Sequence, residues 1–282
     1  MKQLIFDIGG TYIKYAYFVN NEVKFDSFPV INQDGKEDVP YALKNFLKNY
    51  QVDEIGVSMP GPFDFKNGIS LMDFKLKSLY QVNVMSIFKE ACPQAKIVFI
   101  HDAVAFILGT LNEDPKLKTM RVAGVMLGTG TGFACMDNGR VMVSENEITI
   151  PHLGRQIYDN TNRKIDEFIS ATGLIRLANE LGYHFKYVKE MAEAAKIDKR
   201  LQETFLEVGQ ILGKVMNQQQ VNLHFTYLLI GGGVSNVWHL LKPAFERVCH
   251  IPYRVVNNLA MCPINGVRLA LRLGKDNIYL KQ

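Results

Sequence analysis

Two stretches, one in each half of the chain, repeat the same succession of parts, and any fold must accommodate both. The first, LIFDIGGTYIKYAYFVNNEV from Leu4, reads as an apolar strand, an Asp-Ile-Gly-Gly-Thr loop, a second strand, and an Asn20-Asn21 pair that predicts a tight hairpin turn. The second, GVMLGTGTGFACMDNGRVMV from Gly124, reads as strand, Gly-Thr-Gly-Thr-Gly loop, strand, an Asp137-Asn138-Gly139 turn of type I′ and a third strand. The repetition predicts a duplicated fold in which two lobes face each other across a nucleotide. Glycines without Cβ atoms let backbone N–H groups come close to a bound group, Thr11 adds a hydroxyl, and Asp7 can hold a hydrated cation such as Mg²⁺. Those are the needs of a polyphosphate. A plain Gly-Gly hairpin is the lesser alternative for the first stretch taken alone, and the recurrence favours phosphate further.

Composition agrees with two lobes. With 282 residues, 48% of them hydrophobic and 21% charged, the chain can build two cores. No apolar run has the length of a membrane span and Leu4 already enters a strand, so a cytoplasmic protein without membrane contact is expected. The net charge of +4 is small and the Lys and Arg residues are scattered, which gives no reason to expect nucleic acid. Cys92, Cys135, Cys249 and Cys262 lie far apart with no Cys-x-x-Cys pair, so neither a disulfide framework nor a zinc knuckle is expected.

Between the two loops, Tyr41 to Lys48 reads as a helix, EIGVSMPGPFDF as a strand ending in a Pro-Gly-Pro turn, and SIFKEAC as a helix before the strand KIVFI. That strand delivers His101 and Asp102 at its carboxyl end, where open α/β sheets face their ligands. Asp102 is therefore either a catalytic carboxylate or the cap of the helix from Ala103. Further on, DEFISATGLIRLANELG and LQETFLEVGQILGKVMNQQQ predict core helices, the second with Phe205, Val208, Ile211, Leu212, Val215 and Met216 on one face. The strand FTYLLIGGGVSN ends in Gly231, Gly232 and Gly233, against which a flat or charged ligand can lie, with Ser235 or Asn236 expected to cap the next helix.

Taken together these motifs resemble the ROK family of bacterial sugar kinases and repressors. The resemblance rests on Asp7-Ile8-Gly9-Gly10-Thr11, Pro60-Gly61-Pro62-Phe63-Asp64, Asp102-Ala103 followed by Leu108-Gly109, Leu127-Gly128-Thr129-Gly130-Thr131-Gly132 and Gly231-Gly232-Gly233-Val234-Ser235, in that order. It implies an α/β, actin-like (ribonuclease H-like) two-lobed ATPase fold with duplicated mixed-sheet domains and ATP between the lobes. The first lobe would comprise residues 1–110 and 265–282, completed by a C-terminal helix with Val267, Leu269, Ala270, Leu271 and Leu273 on its packing face. The second would comprise 111–264. Asp7 then resembles the carboxylate that faces Mg²⁺ through water, and Gly9, Gly10, Thr11 and Lys14 the γ-phosphate cradle. Gly128, Thr129, Gly130, Thr131 and Gly132 resemble the second phosphate motif, and Gly231 to Gly233 the adenosine-side glycines. Asp102 resembles the general base, and a homodimer is implied.

The departures concern the sugar. By the resemblance Pro60, Gly61, His101, Asp102, His152, Arg155 and Glu167 would meet it, but His101 stands where most members have Asn. His152-Leu153-Gly154-Arg155 stands for Glu-x-Gly-His, and QIYDNTNRK holds no cysteine where a zinc loop is usual, so no zinc site is expected. Glu167 resembles the sugar-binding Glu after that loop, unless it pairs with Arg155. A pocket with more donors and more positive charge predicts a sugar that presents acceptors, such as an N-acetyl hexosamine, a glycoside or an anionic sugar. The expected activity is ATP-dependent phosphorylation of a hexose, amino sugar or glycoside with Asp102 as base. A catalytically quiet sugar or nucleotide sensor is the alternative, and a repressor is disfavoured because Leu4 enters the kinase lobe without a preceding helix-turn-helix.

Overall fold

β-Branched and aromatic residues, alternating between faces, build the first strands in the computed structural model, which describes residues 1–20 and 22–282. The elements begin with β1 (Gln3–Ile8), β2 (Tyr12–Val19), β3 (Glu22–Pro29), α1 (Val39–Leu47) and β4 (Glu54–Met59). There follow the short β5 (Phe63–Asp64) and β6 (Ile69–Ser70), α2 (Val84–Ala91), β7 (Lys96–His101) and α3 (Asp102–Glu113). Next come β8 (Arg121–Leu127), β9 (Thr131–Asp137), β10 (Arg140–Val143), α4 (Asp166–Ile169), α5 (Ala171–Glu180), α6 (Val188–Ala194) and α7 (Lys199–Leu223). The chain ends with β11 (Tyr227–Gly231), α8 (Trp238–Val248), β12 (Tyr253–Val255), α9 (Met261–Leu273), α10 (Lys275–Ile278) and β13 (Tyr279–Lys281).

The chain divides into two compact units, the first made of Met1–Lys116, Gly139–Thr149 and Ala260–Gln282, the second of Leu117–Asn138 and Ile150–Leu259. Residues 139–149, expected in the second lobe, belong to the first unit. The reason is pairing: β10 runs parallel to β13, and the Arg140 guanidinium donates to the Tyr279 carbonyl.

In the first unit a sheet of order β3-β2-β1-β4-β7 sets β1 between antiparallel β2 and parallel β4. Its core gathers Leu4, Phe6, Val57, Phe63, Phe88 and Phe99. α9 lies against α3, β1 and β4, so the C-terminal helix packs inside this unit. Val267, Ala270 and Leu271 are buried there, whereas Leu273, expected on the packing face, is exposed. Two glycines bring these helices into backbone contact: a Cβ on Gly266 would lie 1.8 Å from the Ala105 carbonyl oxygen, and one on Gly109 would lie 1.8 Å from that of Cys262.

The second unit repeats the local plan. β8 lies between antiparallel β9 and parallel β11, with β12 beyond β11. α7 buries Phe205, Val208, Ile211, Leu212, Val215 and Met216 as the spacing predicts. Asn138 and Gly139 both take positive φ, 49° and 76°, at the expected turn. Asn20 does likewise at 49°, while Asn21, the other half of that turn, lies outside the described residues. The segment from Asp166 is not one helix: Ser170, in extended conformation, ends α4 and caps α5 through its hydroxyl on the Gly173 amide.

Candidate active site

Three parallel strands of the first unit end side by side, and their carboxyl ends carry the chemistry. Register pairs Asp7 with Ser58 and Met59 with His101, so Asp7 and Ser58 are the next-to-last residues of β1 and β4, and His101-Asp102 closes β7 and opens α3. Burial raises the pKa of Asp7 above the ordinary carboxylate value, and the Asp102 charge adds to the rise. Lys14, with Nζ 3.4 Å from the Asp7 carboxylate, and the buried Ser58 hydroxyl oppose it. Asp7 thus has one cationic partner, Lys14, and one anionic neighbour, Asp102.

The loop after β1 is tied by the Gly9 amide donating to the Tyr12 carbonyl at 3.2 Å and by the Val30 amide donating to the Thr11 carbonyl at 3.2 Å. The Gly10 and Thr11 amides have no acceptor among the described residues, and Gly10 and Thr11 are exposed. Such a loop offers its N–H groups outward.

Asp102 both holds the helix start and keeps a free oxygen. Its Oδ1 accepts from the Ala103 amide at 2.7 Å and lies 3.3 Å from His101 Nδ1. Its Oδ2 has no protein partner among the described residues, and the side chain is 35% exposed. The His101 ring stands against Gly61, where a Cβ would come within 3.3 Å of Nε2, and edge-on to Phe65. Gly61 precedes Pro62 through a cis peptide, and its contact with His101 places the Pro60-Gly61 turn against the residue before Asp102.

In the second unit the loop between β8 and β9 is held on two sides. A Cβ on Gly232, whose φ is +86°, would lie 2.6 Å from the Leu127 backbone; only glycine lets the Gly231–Gly233 turn touch the start of the loop. Ser235 and Asn236 do not cap α8. Their side chains donate back to the Gly232 and Gly233 carbonyls, because a 3₁₀ turn over Gly233–Val237 intervenes before the helix.

On the other side three bonds reach the loop from residues 166–172: Ala171 N–H to the Gly128 carbonyl at 2.8 Å, Thr172 Oγ1 to the Thr129 carbonyl at 2.8 Å, and Thr131 N–H to Asp166 Oδ1 at 2.5 Å. The Thr129 and Gly130 amides have no acceptor among the described residues, and the buried Thr131 hydroxyl has no partner there. Gly132 continues into β9 opposite Met126.

The remaining expected residues are placed less centrally. Glu167 turns back to accept from the Lys164 amide at 2.8 Å and forms no ion pair with Arg155. His152 and Arg155 are exposed, flanking a 3₁₀ turn over Leu153–Arg155. Partial desolvation and the Arg155 charge hold the His152 pKa below the ordinary imidazole value. Gly154 lies against the Thr131 carbonyl and Asp166, which brings this turn to the loop. Asp166 is the functional candidate that sequence reasoning passed over. Its signal was present, a carboxylate four residues before the capping Ser170, whose hydroxyl donates to the Asp166 carbonyl.

Among the described residues no group of three or more His, Cys, Asp or Glu is arranged to hold a metal, and the four buried cysteines form no disulfide. No described helix is long and apolar enough to cross a membrane.

A comparison of the sequence with curated proteins finds no match. Solved structures share the fold at low identity. The ROK hexokinase of Thermus thermophilus is 19% identical with a TM-score of 0.76, covering 97% of this chain and 100% of its own. A ROK family glucokinase from Streptomyces griseus, in complex with glucose and AMPPNP, is 17% identical with a TM-score of 0.74 over 96% of this chain and 100% of its own. A ROK family transcriptional regulator, a homologue of the E. coli MLC protein, is 16% identical with a TM-score of 0.72 over 94% of this chain and 77% of its own. The fold is thus the actin-like ATPase fold, α/β with mixed sheets. The ROK family sequence model matches residues 4–260, most of the chain, and the chain belongs to the ROK family.

Proposed function

We propose that this chain is an ATP-dependent sugar kinase that transfers the γ-phosphoryl group to a hydroxyl of a hexose, amino sugar or glycoside. The observation that carries the reading is Asp102. One oxygen is anchored on the Ala103 amide, the other is open, and the carboxylate stands beside Asp7 at the carboxyl ends of β1, β4 and β7. Phosphoryl transfer asks a protein for positioning, charge neutralisation and a proton acceptor, and these residues supply all three.

In this reading the open Asp102 oxygen takes the proton of the attacking hydroxyl as the sugar oxygen bonds to the γ-phosphorus and the bond to the ADP oxygen breaks. The Gly10 and Thr11 amides and Lys14 would hold the γ-phosphate end. The Thr129 and Gly130 amides would serve the second phosphate site, with Gly231–Gly233 on the adenosine side. Asp7 would hold Mg²⁺ through water, and the ion would supply charge neutralisation for the phosphates. Pro60, Gly61, His101, His152 and Arg155 would shape the sugar site. No zinc is needed, and elemental analysis of the purified protein is expected to find none.

Support comes from the family and from kinases among the structures of the same fold. The test is ADP release over glucose, fructose, mannose, N-acetylmannosamine, a β-glucoside and a sugar phosphate. Asp102→Asn should keep nucleotide binding and lose about two to four decades of turnover, the usual contribution of a positioned base. Turnover at the parent rate would make Asp102 a helix cap. Nucleotide binding without ADP release on any sugar would favour the quiet sensor, a reading that the exposed His152-Arg155 pair keeps open.

A further inference from the structure

We propose that Asp166 is the positioning residue of the loop Gly128–Thr131: its carboxylate takes the Thr131 amide for the protein and leaves the Thr129 and Gly130 amides as the donors for phosphate. This rests on the reading that the chain binds ATP. The loop has four amides near its turn, and two are already engaged: Gly128 N–H on the Gly130 carbonyl at 3.0 Å and Thr131 N–H on Asp166 Oδ1 at 2.5 Å. The other two point to no protein acceptor among the described residues.

Asp166 is itself held firmly. Its carbonyl accepts the Ser170 hydroxyl at 2.6 Å, and Gly173 allows α5 to press on the Asp166 and Glu167 carbonyls, where a Cβ would come within 2.8 and 2.7 Å. Gly154 closes the third side, with Asp166 Oδ1 3.4 Å from the Cβ it lacks. A carboxylate so placed costs something to an anion site. It brings a negative charge next to bound phosphate, and the charge-assisted bond it makes to the amide is the compensation. The acceptor and the charge therefore act in opposite directions on nucleotide affinity, and two substitutions separate them. Asp166→Ala removes both; Asp166→Asn keeps an oxygen for the Thr131 amide and removes only the charge.

The experiment measures ADP affinity by calorimetry without sugar, residue-resolved amide exchange, and the KM values for ATP and sugar. In the wild-type protein Thr131 should exchange at least tenfold more slowly than Thr129 and Gly130 without ligand, the latter two slowing when ADP binds. Asp166→Ala should speed Thr131 exchange and weaken ADP about tenfold or more, the scale of a lost charged hydrogen bond. Asp166→Asn should bind ADP as tightly as the parent or more tightly.

Three results would overturn the proposal. They are fast Thr131 exchange in the wild type, a loss of ADP affinity in Asp166→Asn as large as in the alanine variant, or a change confined to the sugar KM, which would make Asp166 a sugar contact. Should Asp166→Ala not fold, the wild-type exchange pattern and the asparagine variant still decide. Should the wild type bind no nucleotide, the kinase reading fails, and the exchange pattern alone still tests what Asp166 does to the loop.

Discussion

Gly266→Ala should be among the most damaging single-methyl changes in this protein, and its effect should reach the active site. The methyl would sit 1.8 Å from the Ala105 carbonyl oxygen and 2.9 Å from the Gly109 amide nitrogen. Both are backbone, so no side chain can swing aside. Restoring an ordinary contact of 3.4 Å requires α3 and α9 to separate by about 1.6 Å at their crossing. Overpacking of this kind costs about 3 kcal/mol at the upper end of its usual range, while alanine in place of glycine inside a helix returns about 1 kcal/mol. The net loss is about 2 kcal/mol, which for a domain of this size lowers Tm by roughly 4–8 °C. α3 begins at Asp102, so a shift of the helix displaces the open carboxylate oxygen. An ångström of misplacement at a reacting group costs on the order of a hundredfold in rate. Thermal unfolding followed by circular dichroism, with kcat measured at a temperature where the variant is still folded, reads both effects. A Tm at or above the wild-type value would show that helix propensity outweighs the contact. An unchanged kcat at a lowered Tm would show that α3 pivots elsewhere than at its first turn.

Other expectations follow from single contacts. Asp7 has a folded pKa raised above its unfolded value of 3.8, so the folded state binds the extra proton between the two values. Stability from this group is therefore lost as pH rises through that window, and Asp7→Asn should flatten that part of the denaturant-midpoint profile against pH; an unchanged profile refutes it. Gly232→Ala places a methyl 2.6 Å from the Leu127 backbone at a φ of +86°, and should weaken ADP binding measured by calorimetry at least tenfold, parent-like affinity counting against the packing seen here. His152→Glu should shift kcat/KM toward glucose and away from acceptor-rich sugars, since a carboxylate accepts where a neutral imidazole also donates. An unchanged ranking would mean that His152 does not face the sugar.

The strands, the two glycine loops and the place of His101-Asp102 were legible in the sequence because each is a local signal. Periodicity marks a strand, glycine runs mark the loops, and a polar pair at the end of an apolar run marks the carboxyl edge of a sheet. Contacts between distant segments were not legible. Gly109 and Gly266 look like weak points in two helices until the structure shows each against the other's backbone. The assignment of residues 139–149 to the first unit depends on the last strand of the chain, which no local pattern announces. Ser170 was read as part of a continuous helix, yet Ser-x-x-Gly is a capping sequence and could have been recognised as a break.

Glu167 is expected at the sugar, yet of the two adjacent acids it is Asp166 that reaches the loop while Glu167 accepts from the Lys164 amide. Successive side chains on a helix diverge by about 100°, so only one of two adjacent acids can face a given loop. Both sit at the start of α4, where either would favour the helix dipole, and both are sequence-equivalent by that measure. What decides between them is the break at Ser170. Its hydroxyl fixes the Asp166 carbonyl and lets α5 turn back over the residue, directing the Asp166 side chain to Thr131 and leaving Glu167 to the Lys164 amide. A single cap thus sets which charge reaches the loop. Ser170→Ala, which leaves both acids in place, should loosen Asp166 and speed exchange of the Thr131 amide without touching the loop directly.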